Sequence, residues 1–144
     1  MTQIDFYILP DDQQVDPLHY TCRLIEKVYG LGHGIYLYCS GQAQQQQIDD
    51  MLWQLDPTSF IPHSSADLND GSPIILGIDN PPDHHGEVMV NLAGDIPNFF
   101  SRFRRVAEIV PGNPQNRTKS RQNYRFYQER GYPLKTHTIK PSTR

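Results

Sequence analysis

The segment Ile35-Tyr36-Leu37-Tyr38-Cys39 is a nearly unbroken apolar run, and it restricts the fold more than any other feature. A strand with one wet face alternates apolar and polar residues, whereas a strand covered on both faces does not. Such a strand needs helices above and below it. The neighbouring patterns supply them. Ile4–Leu9 reads as a strand closed by Pro10. Asp16-Pro17 then opens a helix, with Asp16 as N-cap and Leu18, Cys22 and Ile25 at spacings of three and four. Gly30 and Gly32 stop that helix. A second helix runs over Gln42–Leu55, its apolar side formed by Ala43, Ile48, Met51, Leu52 and Leu55, with Gln44–Gln47 as a solvated face.

Further strands are expected at Ile74–Ile78, Val88–Leu92 and Arg105–Val110, with a short helix beginning at Ile96–Phe100. A last helix spans Pro114 to Arg130 and is capped by Gly131. The alternation predicts an α/β fold. Its form is a three-layer α/β/α sandwich around a mostly parallel, mixed sheet of about five strands. With 144 residues the chain is long enough for one domain. Residues 1–135 are read as that domain, and 136–144 as a basic, flexible tail.

Some classes are excluded early. No apolar run approaches the roughly 20 residues needed to cross a bilayer. The N-terminal residues lack the basic start and apolar stretch of a signal peptide, so a cytoplasmic location is expected. Cys22 and Cys39 lie inside apolar patterns and read as buried thiols rather than a disulfide framework.

Charge is divided sharply along the chain. Residues 1–100 carry two basic side chains, Arg23 and Lys27, against fourteen acidic ones, a net of −12. Residues 101–144 carry eleven basic side chains against Glu108 and Glu129, a net of +9. Either the C-terminal third meets an anionic partner, or it packs against its own acidic body. Nucleic acid, a phosphate ligand and an acidic peptide all satisfy the first reading.

Several motifs carry less than they first suggest. Gly30-Leu31-Gly32-His33-Gly34 follows a helix and precedes a strand, the reverse of a dinucleotide-binding turn, and no phosphate-binding loop is present. His84-His85, with Asp83 and Glu87 nearby, lacks a supported third metal ligand in sequence. Asp79 follows a strand, where α/β enzymes keep catalytic groups, but no nucleophile–base pair is legible around it. Trp53, beside Leu52, reads as core. Phe60-Ile61-Pro62-His63 places a large apolar side chain and a rigid step in an irregular segment, where Phe60 either anchors a partner or folds back over the preceding helix.

The last helix is more specific. At about 100° per residue, Arg117, Arg121, Tyr124 and Gln128 share one face, with Arg125 on its shoulder. Phe126 and Tyr127 are left to pack the body. One side of the helix therefore offers guanidinium groups around a tyrosine ring, a combination suited to carboxylates or phosphates beside an apolar group.

At these residues the chain resembles the chi subunit family of bacterial DNA polymerase III. The resemblance runs through Phe6-Tyr7-Ile8-Leu9, Leu52-Trp53, Ser59-Phe60-Ile61-Pro62-His63, Val110-Pro111, Arg121–Tyr127 and Gly131-Tyr132. It implies a mononucleotide-binding-like sheet without a nucleotide site, and a non-catalytic adaptor of the clamp-loader complex. By the same resemblance, Phe60, Ile61, Pro62 and His63 match the segment that binds the psi subunit. Val110, Arg117, Arg121, Tyr124 and Arg125 match the pocket for the acidic C-terminal tail of single-stranded DNA-binding protein. The implied protein has no cofactor, metal or catalytic residue, touches DNA mainly indirectly and has no membrane role. Two rivals remain open from the residues alone. One is a direct nucleic-acid-binding module using the basic helix. The other is a metal-dependent nuclease or phosphatase built on Asp79, Asp83, His84 and His85.

Overall fold

Asp16 begins the first helix as its place before Pro17 predicts. Its carboxylate accepts from the Leu18 amide at 3.1 Å, and Pro17 sits in the first turn, where its missing N–H is not needed. At the other end Gly32 takes a φ of 88°, a left-handed conformation that ends a helix without a Cβ clash. The computed structural model describes residues 1–11, 15–54, 61–66, 71–82 and 86–140. Within it the elements are β1 (Gln3–Ile8), α1 (Pro17–Gly30), β2 (Ile35–Tyr38), α2 (Gln42–Gln54), β3 (His63–Ser65) and β4 (Ile74–Gly77). They continue with β5 (Val88–Asn91), a 3-10 turn (Phe100–Arg102), β6 (Arg105–Val110), α3 (Pro114–Glu129) and β7 (Leu134–Thr138).

The strands form one sheet in the order β3-β4-β2-β5-β6-β1-β7. Among the described residues every pairing is parallel, in line with the largely parallel sheet expected. The doubly covered strand expected at 35–39 lies in its interior, with Ile35, Tyr36 and Leu37 fully buried. Side-chain alternation divides the apolar residues between two cores. Ile35, Leu37, Val90 and Ile109 meet α1 and α2 through Cys22, Ile25, Ile48 and Leu52. Ile4, Phe6, Tyr36 and Val106 meet Phe100 of the 3-10 turn, Phe103 just after it and Tyr127 of α3 on the other face. The three layers are those the alternation predicts. Cys22 and Cys39 are free and buried, and burial pushes both thiols up to about 12.

Four expectations change. Among the described residues the sheet has seven strands where about five were expected, because β3 and β7 are polar segments recruited by backbone pairing. The flexible tail expected from 136 starts too early, since Thr136, His137 and Thr138 belong to β7 and pair with Phe6, Tyr7 and Ile8 of β1. The helix expected at Ile96–Phe100 is instead the 3-10 turn at Phe100–Arg102. Trp53, read as core, is 53% exposed. The buried line of α2 is Ile48 and Leu52, and the next residue is rotated by about 100° away from it.

Candidate functional site

The site begins with a close backbone approach. A Cβ on Gly112 would lie 2.3 Å from the Pro10 carbonyl oxygen, so only glycine lets the β6–α3 loop pack against the end of β1. The next residue, Asn113, caps α3 by accepting from the Asn116 amide at 2.9 Å, and Pro114 follows in the first turn. These residues set where α3 starts and hence which of its side chains face β1.

Arg117 is the first of them. It is half-buried, and its Nη2 approaches the Leu9 carbonyl oxygen at 3.5 Å, the limit for a hydrogen bond. Its Nε is buried without a partner. An unsatisfied buried donor is unfavourable by about 1–3 kcal/mol, which an incoming anion would relieve. Arg121 and Arg125 are exposed, and among the described residues neither is paired with a carboxylate. Tyr124 is half-buried, its ring 5.4 Å from that of Phe6 at 57°. Its hydroxyl has no hydrogen-bond partner among the described residues. Val110 ends β6 and is 4% exposed. It is a floor with little free surface, while Tyr124 presents the available apolar wall. Chemically, the arrangement offers several N–H donors and an aromatic face to a carboxylate attached to an apolar group.

The opposite flank of α3 packs into the body through Tyr127, and it also makes polar contacts with Gly94 and with Glu108, itself bound to Asn91, that sequence reasoning passed over. Tyr127 is fully buried and donates to Glu108 Oε2 at 2.8 Å, and Asn91 Nδ2 donates to the same oxygen at 3.0 Å. Asn123 donates to the Gly94 carbonyl at 2.8 Å. Burial pushes the Glu108 carboxyl up to about 7 despite those two donors. A Tyr on the helix and a Glu inside an apolar strand were the available signals. Their meeting depended on helix placement.

The other predicted segment is divided. Phe60 lies outside the described residues. Ile61 is 3% exposed and belongs to the α1–α2 core. Pro62 is half-buried. His63 starts β3 with its side chain covered. Its Nδ1 lies 2.7 Å from the Ile61 carbonyl oxygen, and its Nε2 lies 3.1 Å from Asp49 Oδ1 without hydrogen-bond alignment. Over this histidine sits Trp53, ring to ring at 4.7 Å. Among the described residues the exposed large apolar side chain here is Trp53, lying against the buried His63.

Asp79 follows β4, and its backbone carbonyl accepts from the Tyr36 hydroxyl. Asp83, His84 and His85 lie outside the described residues. Among the described residues, no group of three His, Cys, Asp or Glu side chains is placed to hold a metal, and no helix is long and apolar enough to cross a membrane.

Comparison with known proteins gives a consistent picture. The family model described as DNA polymerase III chi subunit, HolC, matches residues 1–135. The chain belongs to the DNA polymerase III chi subunit family. It is 40% identical over 139 residues to DNA polymerase III subunit chi of Pseudomonas aeruginosa, covering 96% of this chain and 98% of that protein. It is 28% identical over 137 residues to the chi subunit of Haemophilus influenzae, covering 93% and 95%. Identity to the Escherichia coli chi subunit is 25% over 147 residues, covering 97% and 100%. The match to the chi family therefore takes in both the α3 face and the Trp53–His63 segment.

Proposed function

We propose that this chi-family chain is a non-catalytic accessory subunit of the DNA polymerase III clamp-loader complex. It bridges the psi subunit and the acidic C-terminal tail of single-stranded DNA-binding protein during DNA replication in the cytoplasm. The observation that carries the reading is the open flank of α3. Among the described residues Arg121 and Arg125 have no carboxylate partner there beside Tyr124, and Arg117 holds a buried, unmatched N–H. Arg121, aided by Arg117 and Arg125, binds the tail's terminal carboxylate and nearby acidic side chains. By the family resemblance that tail ends in Asp-Phe, and its terminal phenyl ring rests on Tyr124 above Val110.

Burying that ring contributes about 2 kcal/mol, and each charge-assisted hydrogen bond adds about 1.5–3 kcal/mol. After ordering costs, a micromolar affinity of about −8 kcal/mol is the expected sum. Binding of this strength exchanges readily and weakens with salt.

Titration of a labelled acidic tail peptide tests the assignment. Arg121→Ala is expected to weaken binding by about tenfold or more, the equivalent of one lost charge-assisted bond, with an unchanged melting temperature. Equal affinities for the two proteins would defeat it. Tight binding of single-stranded DNA in the absence of the binding protein, with a steep salt slope, would instead favour a direct nucleic-acid module.

The psi contact is assigned to the Phe60-Ile61-Pro62-His63 segment together with the exposed Trp53, with Ile61 and His63 acting as buried support. Truncating Trp53 to alanine removes the exposed ring without touching the Ile48–Leu52 line. Recovery of psi in co-purification with Trp53→Ala is expected to fall sharply. Undiminished recovery would remove this surface from the proposal.

A further inference from the structure

On the opposite face of the sheet from the tail site, a cavity of about 220 Å³ lies between the C-terminal half of α1 and strands β1, β5 and β6. Its floor is apolar, made by Val88, Val90 and Ala107, and Leu24 and Val28 of α1 form a wall. At its edge stands Leu31, an apolar side chain 67% exposed to solvent. An apolar cavity of about 150 Å³ is large enough to take benzene. This one therefore accommodates a phenyl ring and a short arm.

The rim is cationic. Lys27 is one of the two basic residues in the first hundred, and it lines this cavity with no carboxylate partner among the described residues. Arg105 lines it as well. The one buried acid there, Asp5, is already occupied. Its Oδ2 accepts from Arg105 Nη2 at 2.8 Å and Nε at 3.3 Å, and its Oδ1 is 3.1 Å from His137 Nε2. Arg105 uses two of its nitrogens on Asp5, which leaves Nη1 available. Tyr7, stacked on His137 at 4.6 Å, adds a hydroxyl without a hydrogen-bond partner among the described residues. Apolar floor, neutralised acid and unpaired lysine together define the chemistry of a ligand.

We propose that this cavity is a binding site for an aryl or alkyl monocarboxylate, with its apolar group on Val88, Val90 and Ala107 and its carboxylate between Lys27 and Arg105. The site is separate from the tail site in position and residues, and goes beyond the function proposed above.

Methyl-resolved NMR of the whole chain, titrated with 3-phenylpropionate and with 3-phenylpropionamide, tests it. The methyl signals of Leu24, Val88, Val90 and Ala107 are expected to shift and saturate with the acid, and to respond at least about fivefold more weakly to the neutral amide. Lys27→Glu, on an exposed helix position, is expected to weaken the acid by a similar factor, while Arg121→Ala leaves it unchanged. Loss of tail binding in Arg121→Ala with these shifts intact keeps the two assignments distinguishable. Absent shifts, equal responses to acid and amide, or shifts confined to α3 would overturn the proposal. An acidic peptide ending in phenylalanine, added to Arg121→Ala, separates two sources of the same chemistry. Shifts at the four residues identify a peptide terminus, and shifts with the free acid alone identify a small-molecule ligand.

Discussion

The two flanks of α3 differ in how much of their polar chemistry the fold consumes. Toward the loop after β5, Asn123 is bound to Gly94, and Lys119 lies 3.1 Å from Asp95. Tyr127 is bound to Glu108, which also holds Asn91. Toward β1, Arg121 and Arg125 reach no carboxylate among the described residues, and Arg117 meets a carbonyl only at 3.5 Å. Both flanks belong to one helix with one composition. The difference lies in what the adjoining loops bring: Gly94 and Asp95 on one side, the carbonyl end of β1 on the other. A cation with no internal partner is available to an external one.

The comparison can be tested from its strongest contact down. Glu108 should produce the largest effect. Its folded carboxyl titrates near about 7 because burial disfavours the charged form, whereas an unfolded glutamate titrates at about 4.3. The folded state therefore keeps its proton over that window. Stability is highest below it and falls as pH rises through it. Glu108→Gln, which never ionises, is expected to show a flat profile there. Above pH 7 the variant should gain on the wild type by up to about 3 kcal/mol, read by denaturant unfolding at a series of pH values. Parallel profiles for the two proteins would mean that the closed flank carries no strained charge.

Next comes Arg121→Ala, where the expected change is in tail affinity and not in stability. A drop in melting temperature would show that the open flank is also consumed by the fold. The smallest effect is expected from Lys119→Ala. Its pair with Asp95 is largely exposed on both sides, so the loss should stay within about 0.5 kcal/mol, and tail affinity should hardly change. A Lys119 effect on tail binding as large as that of Arg121 would erase the distinction between the flanks.

Much of the architecture was legible locally. The Asp16-Pro17 start, the glycine stops and the apolar run of β2 are short-range signals that tertiary packing did not override. β7 was not legible, because Leu134-Lys135-Thr136-His137-Thr138 has a single apolar residue. It becomes a strand through bonds such as Ile4 amide to Pro133 carbonyl and Ile139 amide to Ile8 carbonyl, both 2.9 Å. Backbone pairing with a partner about 130 residues away leaves little trace in side-chain pattern. Trp53 failed for a different reason. Helical spacing separates two faces well but does not say where the buried stripe ends, and on α2 it ends at Leu52.

The candidate site divides along the same line. Arg117, Arg121 and Tyr124 share a face because of the helical repeat, and no folding event is needed to know that. The charge imbalance between the first hundred residues and the rest is likewise a property of the chain. Whether those cations stay open was decided only when the chain closed. Arg105 found Asp5 and Lys119 found Asp95, while Arg121 and Arg125 were carried to a flank where they meet no carboxylate among the described residues. Ion pairing depends on separations of a few ångströms between residues far apart in sequence, and such distances are set by packing rather than by composition.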